Sequence, residues 1–306
     1  MPVLPAPPTP EVAVVVPLVN DLPAVDRCLE ALAVARRGVR CEVVVVDRCG
    51  GSRRESIRRR HPWVRLVEAD AGVSIPELRA IGVAASRADI VAIIEDHCIV
   101  GRGWLAAARD AHRRHAASGC GAVGGPIENG AVNRVVDWAA FLCEYSDAMP
   151  PLEDGEVDRL PGNNVAYRRA VLEAIGEASY GRRWEYFWHQ EIRRRGYRMY
   201  RTAEMQVSHD RPFGVAEYLS QRFHYSRSFA AMRAVGAGPL RRCGYALGTV
   251  VLPAVLLRRI VTQVATRRGR RLLASLPLLG VFTVSWAAGE FVGYLCGAGG
   301  SLERVR

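Results

Sequence analysis

Lysine is absent from this 306-residue chain, so its whole basic complement is arginine and histidine. Without lysine no Gly-x-x-x-x-Gly-Lys phosphate loop can be built, and P-loop chemistry is excluded. No Gly-x-Gly-x-x-Gly follows the first apolar run, which weighs against a dinucleotide-binding crossover. The eight cysteines, at 28, 41, 49, 98, 120, 143, 243 and 296, form no Cys-x-x-Cys pair and no zinc-type spacing. Several sit inside apolar runs, as reduced, packed thiols of a cytosolic compartment do. Residues 1–10, Met-Pro-Val-Leu-Pro-Ala-Pro-Pro-Thr-Pro, carry neither a basic nor an apolar signal region and read as a proline-rich leader.

What is present describes a chain that buries a core: 49% hydrophobic and 24% charged residues. The formal charge of +11 is unevenly spread. Residues 241–306 hold ten Arg against Glu290 and Glu303, a net of +8, which leaves +3 for the first 240 residues. A basic excess interleaved with apolar runs points to a membrane surface, and the weak charge of the remainder speaks against nucleic acid as a partner.

The order of elements predicts an α/β fold. Val12 to Val16 is a buried strand stopped by Pro17, and Asn20 or Asp21 can cap the next helix, whose apolar stripe is Leu22, Val25, Leu29 and Leu32. Glu42 to Asp47 is a second strand closing on a carboxylate and followed by Gly50, Gly51 and Ser52. A helix over roughly 53–60, a short strand at Val64 to Val67 and a helix opened by Ser74-Ile-Pro-Glu77 come next. Ile90 to Ile94 is five uninterrupted apolar residues ending in Glu95, Asp96 and His97. Such a run reads as a strand buried on both faces, and open α/β sheets bind ligands beyond the carboxyl ends of their strands. A solvated loop closing the strand is the competing view. Further helices are expected at 104–117, 134–146 and 184–195, strands near Ala122, Tyr197 and Gln206, and a lid-like loop at 150–155. This alternation predicts a mostly parallel, doubly wound sheet.

Taken together, these pieces resemble glycosyltransferase family 2, the inverting nucleotide-sugar transferases of GT-A fold. The resemblance is carried by Val14-Val-Val-Pro-Leu-Val-Asn20, Val43-Val-Val-Val-Asp47 with Gly50-Gly-Ser, Gly72-Val-Ser with Leu78-Arg-Ala-Ile-Gly82, and Glu95-Asp-His97. Gly162-Asn-Asn-Val-Ala-Tyr-Arg168 and the Arg-Arg-Gly-Tyr-Arg run ending at Arg198 complete it, over about residues 12–210. It implies a Rossmann-like, mostly parallel central sheet with flanking helices and a nucleotide-diphospho-sugar donor. The donor-binding residues it implies are Pro17, Asp47 (toward the base), Arg79, Glu95, Asp96, Asn163 and Asn164. It also implies Mg²⁺ or Mn²⁺ held by Asp96, His97 and His209, because the departing diphosphate develops negative charge that a divalent ion stabilises. The chain departs from the family pattern at His97, where an Asp is usual; imidazole suits Mn²⁺ better than Mg²⁺. His209 has a second reading as a plain strand-end histidine.

Counting back from Gly196, the acceptor base falls on Glu185, with Trp184 in place of the family's Glu. A carboxylate at that helix start can deprotonate a hydroxyl, or it can merely complement the helix dipole. His189 and Glu191 are rivals on the same helix. Trp184, Tyr186, Phe187 and Trp188 either stack on an acceptor or pack in the core. Asn163 and Asn164 either line the donor pocket or build a turn.

The tail is expected to be membrane-associated. Residues 213–240 suit an amphipathic interface helix, and 241–306 a helical region following the 11–212 catalytic domain. Cys243 to Leu257 is short for a span; Leu272 to Ala298 is long enough, and the 258–271 connection contains six Arg and no acid. The positive-inside rule puts that connection in the cytoplasm, with the catalytic domain on the same side of an inner membrane. The expected activity is inverting transfer to a glycan or lipid-linked acceptor. The alternative is a non-catalytic sugar-nucleotide- or glycan-binding scaffold at the membrane.

Overall fold

The computed structural model describes residues 9–20, 23–176 and 180–305. Most of the leader, the Asp21 cap and Leu22 lie outside these. The chain forms two compact units. The first takes the residues up to Ala71, Pro76–Pro126 and Pro151–Val207; the second takes Gly72–Ile75, Ile127–Pro150 and Ser208–Arg306.

The first unit contains β1 (Val12–Leu18), α1 (Ala24–Ala35), β2 (Cys41–Asp47), α2 (Gly51–Arg60), β3 (Arg65–Glu68), α3 (Ile75–Ala85), β4 (Ile90–Ile94), β5 (Cys98–Val100), α4 (Trp104–Arg114) and β6 (Cys120–Gly124). The same unit later takes up β8 (Gly155–Glu156), β9 (Asn164–Arg168), α6 (Arg169–Ile175), α7 (Glu185–Arg194) and β10 (Arg198–Arg201). Its eight-stranded sheet has the order β3-β2-β1-β4-β9-β6-β10-β8. β1, β2, β3 and β4 run parallel, as do β6 and β10. β9 is inserted antiparallel between β4 and β6. The β-branched runs Val12–Val16 and Val43–Val46 are wholly buried, as strands covered on both faces must be.

Register fixes where the strand ends fall. Leu18 pairs with Asp47, Val15 with Ile93, and Ile94 with Asn164. The carboxyl ends of β1, β2 and β4 therefore share one edge, and because β9 is antiparallel, its beginning meets the end of β4. Helix α3 lies close on this sheet. A Cβ added to Gly82 would come 2.2 Å from Cγ1 of Val15, so only glycine permits that approach. Arg79, one turn earlier on the same helix face, is thereby delivered to the strand ends. The 150–155 segment expected as a lid is tethered: Asp154 accepts from the Ala203 N–H at 2.6 Å and from Thr202 Oγ1 at 3.2 Å.

The second unit holds β7 (Ile127–Asn129), α5 (Val135–Tyr145), α8 (Val215–Arg233), α9 (Pro239–Gly248), α10 (Leu252–Cys296) and α11 (Ser301–Arg304); β11 (Val207–His209) leads into it. Helix α8 packs on α10 through small residues. Gly289 lies against the Phe223 carbonyl and Ser226, and Gly293 against the Arg227 carbonyl and Ala230, leaving no room for a Cβ at either position. This four-residue spacing of glycines brings two backbones together without help from large side chains. Glu290 on the same helix accepts hydrogen bonds from Trp286 Nε1 at 2.9 Å and Tyr294 Oη at 3.0 Å, so a carboxylate in an apolar stretch is satisfied locally.

The tail departs from expectation in one respect. The Arg-rich connection 258–271 is helical apart from Arg268, whose φ of −143° and ψ of 41° kink α10. Arginine, glutamine and alanine are good helix formers, the β-branched residues among 258–267 cost only a few tenths of a kcal/mol each, and no proline or glycine intervenes between Leu257 and Arg268, so charge alone does not open a loop there. α10 is long and apolar enough to cross a membrane by length and composition.

Two outcomes test this account. Gly82→Ala gains about 1 kcal/mol of helix propensity but meets Val15, and a net loss of about 1–2 kcal/mol is expected; Val15→Ala in the same chain restores most of the melting temperature. His112 and His189 are buried and neutral, their pKa values pushed down by burial to about 4 and about 3. The unfolded chain binds protons at these sites below about pH 6.5 and the folded one does not. Stability should therefore fall as pH drops from about 6.5 toward 4, by up to about 1.4 kcal/mol per unit for each histidine, and His189→Gln should flatten that slope in acid-denaturation curves.

Candidate active site

The strand-end edge of the first unit gathers most of the residues singled out in the sequence. Glu95 follows the last residue of β4, and its carboxylate is the partly accessible one, with 22% side-chain exposure against 2% for Asp96. Oε1 of Glu95 lies 3.3 Å from Arg79 Nη2, while Oε2 accepts from Asn163 Nδ2 at 3.2 Å and lies 3.3 Å from His97 Nε2. Asp96 faces inward. Its Oδ2 accepts the backbone N–H groups of Val19 at 3.0 Å and Asn20 at 3.3 Å, and its Oδ1 meets His97 Nδ1 at 2.7 Å. It thus ties the exit of β1 to the end of β4 and fixes the imidazole of His97.

That imidazole is buried, which disfavours its charge, but the hydrogen bonds its ring N–H groups donate to Asp96 and Glu95 outweigh burial and raise its pKa to about 9. Both ring nitrogens thus face carboxylates and the ring is held protonated; with Asp96 keeping Nδ1, Nε2 becomes a metal ligand only if its proton is released and the ion takes the place between it and Glu95. The pair offers one hard oxygen and one nitrogen, a donor set that accepts Mn²⁺ more readily than Mg²⁺.

Arg79 is almost completely buried and bridges two acids. Its Nη2 faces Glu95, and its Nη1 makes a very short contact with Glu185 Oε1. Glu185 opens α7, and its carboxylate lies over Gly162 of the turn that precedes β9. Burial pushes the Glu185 carboxyl upward and Arg79 pulls against it; the net direction is up. An ion pair that leaves its acid raised is a pair in which desolvation dominates. Of the rivals on α7, Glu191 is held to about 2 by hydrogen bonds from Arg194 and Arg195, and His189 is buried with Nε2 2.8 Å from Tyr167 Oη. Neither is a buried carboxylate paired with a buried cation, as Glu185 is.

The other expected positions are placed as follows. Asp47 is fully buried; its Oδ1 accepts the N–H groups of Cys49 at 2.7 Å and Gly50 at 3.1 Å, and Oδ2 pairs with Arg54 Nε at 2.6 Å. It shapes the Gly50-Gly51 turn at the edge. Pro17 is buried in β1 beyond Val15, the last residue paired with β4. Asn164 is spent on structure, accepting from Trp104 Nε1 at 2.9 Å and donating to the carbonyls of Pro126 at 3.0 Å and Met205 at 2.7 Å. His209 belongs to the second unit, where it is buried, its ring 5.0 Å from that of Tyr145 and its carbonyl accepting the Gly130 N–H at 2.9 Å. Trp184, Phe187 and Trp188 are core residues, while Tyr186 is only half-buried.

Sequence reasoning missed Arg54, Trp104 and Tyr167 as partners of these groups. Only Arg54 left a trace, as a cation in the first turn of the helix that follows Asp47. No curated protein matches the chain. A family model described as "Glycosyltransferase like family 2" matches residues 8–227. With well over half of its length matched, and with strand-end acids gathered on one edge of a mostly parallel sheet, the chain belongs to the glycosyltransferase-like family 2.

Proposed function

We propose that this protein transfers a sugar from a nucleotide-diphospho-sugar to a hydroxyl acceptor, with inversion, at a membrane. The family supports a glycosyltransferase with a nucleotide-sugar donor and an acceptor. The observation that carries the finer reading is the buried Glu95–Arg79–Glu185 chain, with one accessible acid at one end and one acid of raised pKa at the other.

Glu185 is the acceptor base. Its raised pKa makes it a stronger proton acceptor than an ordinary carboxylate, and Arg79 fixes its direction and favours its ionised form. Single in-line attack by the activated hydroxyl inverts the anomeric carbon, and no covalent enzyme intermediate is needed. Arg79 acts as a positioning residue, since both of its faces are engaged by carboxylates. Asp47 and Pro17 form the nucleoside end of the donor site, and Asn163 steers Glu95.

Glu95 and His97 Nε2 are the groups that would hold the divalent ion on this unit, with Asp96 orienting His97. His209 is a further candidate ligand. When bound, such an ion supplies charge neutralisation for the departing diphosphate. The scaffold alternative shares the donor site but requires no base. The acceptor class, a glycan or lipid-linked hydroxyl, and membrane lipid as a partner rest on the apolar α10. The catalytic unit belongs on the cytoplasmic face, where sugar nucleotides are made.

Glu185→Gln should lower kcat by about 100-fold or more with a smaller loss of donor affinity, since it removes the base and one of the two carboxylate partners of Arg79. In the parent the acidic limb of the rate profile should sit above the ordinary carboxylate value of 4.5 and rise with pH as Glu185 ionises; unchanged turnover in the variant would remove Glu185 as the base, and donor binding with no turnover in the parent would favour the scaffold. Glu95→Gln and His97→Ala should each weaken Mn²⁺ binding, read by electron paramagnetic resonance titration, by about tenfold or more. Asp96→Asn should chiefly lower the melting temperature, because it weakens the clamp on residues 19 and 20.

A further inference from the structure

The second unit contains a cleft of about 540 Å³ at the kink of α10, and the catalytic reading makes no use of it. Arg267, Arg268, Arg270 and Arg271 all line it, opposite Trp138 and Phe141 of α5. In an unbroken helix these four side chains fan across nearly half the circumference. The non-helical Arg268 changes that, and the residues on either side of the break line one cavity.

Two of the four are fixed. Arg267 Nη1 donates to the Met149 carbonyl at 3.0 Å, and the Arg271 guanidinium lies over the Trp138 ring, 5.2 Å from its centroid. Among the described residues Arg268 and Arg270 have no hydrogen-bond or ion-pair partner, although each carries five donors. Glu128 is the single acid in the lining, so the cleft is strongly cationic. Its other wall is apolar and aromatic.

The position narrows the ligand further. Immediately after the cleft α10 continues from Leu272 to Cys296 with Leu273, Leu276, Val281, Val284, Phe291 and Leu295 exposed. From Gly269 onward it is roughly 40 Å long, enough to cross the ~30 Å hydrocarbon core. Arginines at the foot of such a helix lie at headgroup depth, where basic pockets between helices take anionic lipid heads.

We propose that the kink of α10 is a binding site for a lipid with a terminal phosphate or diphosphate. The phosphate oxygens are held in the guanidinium forks of Arg268 and Arg270, and the first carbons of the chain lie against Trp138 and Phe141. Guanidinium forks match phosphate geometry, and a terminal phosphate offers more free oxygens and more charge than a diester.

The test uses the full chain in neutral detergent, titrated with phosphatidic acid, phosphatidylcholine and inorganic diphosphate and read by native mass spectrometry and thermal shift. Saturable binding of phosphatidic acid, with little binding of phosphatidylcholine, is expected. Replacing both Arg268 and Arg270 by Ser should weaken it about 10–100-fold. Removing the same charge at Arg241 and Arg242, outside the cleft, should leave it within a few-fold. Trp138→Ser should weaken phosphatidic acid more than inorganic diphosphate. Equal binding of inorganic diphosphate, indifferent to Trp138, would identify a free-phosphate site and overturn the lipid assignment. Equal loss in the two double variants would show a general charge effect and overturn the site itself. The measurement needs no sugar transfer, so it stands or falls apart from the catalytic reading.

Discussion

The catalytic unit depends on one buried cation. Arg79 sits between Glu95 at the end of β4 and Glu185 at the start of α7, elements 90 residues apart in sequence. Removing a guanidinium from so dry a place leaves Glu185 buried without its counter-charge, a situation that costs several kcal/mol in buried pairs, while Glu95 keeps Asn163 and His97. The arrangement persists because each charge has a partner and because Gly82 lets α3 approach β1 closely enough to bring Arg79 in. Packing of a helix on a sheet thus decides which acids share the buried cation.

The same edge separates two adjacent carboxylates by task. Asp96 spends its oxygens on backbone N–H groups and on His97, and is nearly inaccessible. Glu95 retains access and points toward His97 Nε2 and Asn163. Histidine at position 97 fits this division, since an imidazole pinned by Asp96 extends reach without adding another negative charge to a crowded site. The second unit works by other means. Its α8–α10 contact rests on small residues, its Glu290 is satisfied within one helix, and its cations are concentrated where α10 kinks.

Much of the fold was legible in the order of residues. Val12–Val16, Val43–Val46 and Ile90–Ile94 have no polar interruption, so they announce strands buried on both faces, and the helices between them announce a parallel crossover sheet. The Arg-rich 258–271 stretch was less legible, because charge disfavours burial but not helix. The aromatic cluster on α7 resolves into core for the same kind of reason: a helix packed on a sheet buries one face whatever its side chains could bind.

The sequence by itself determined that acids stand at strand ends, that a glycine-asparagine turn precedes β9, and that a basic, apolar tail follows. Those are local facts, written in periodicity and composition. Only the tertiary structure decided which acid faces outward and which cation holds them. Those outcomes come from the antiparallel insertion of β9, which puts Asn163 beside Glu95, and from the close seat of α3. Neither can be read locally, because a pairing between residues 94 and 164, or a contact between Gly82 and Val15, is a property of the packed sheet and not of any one stretch of chain.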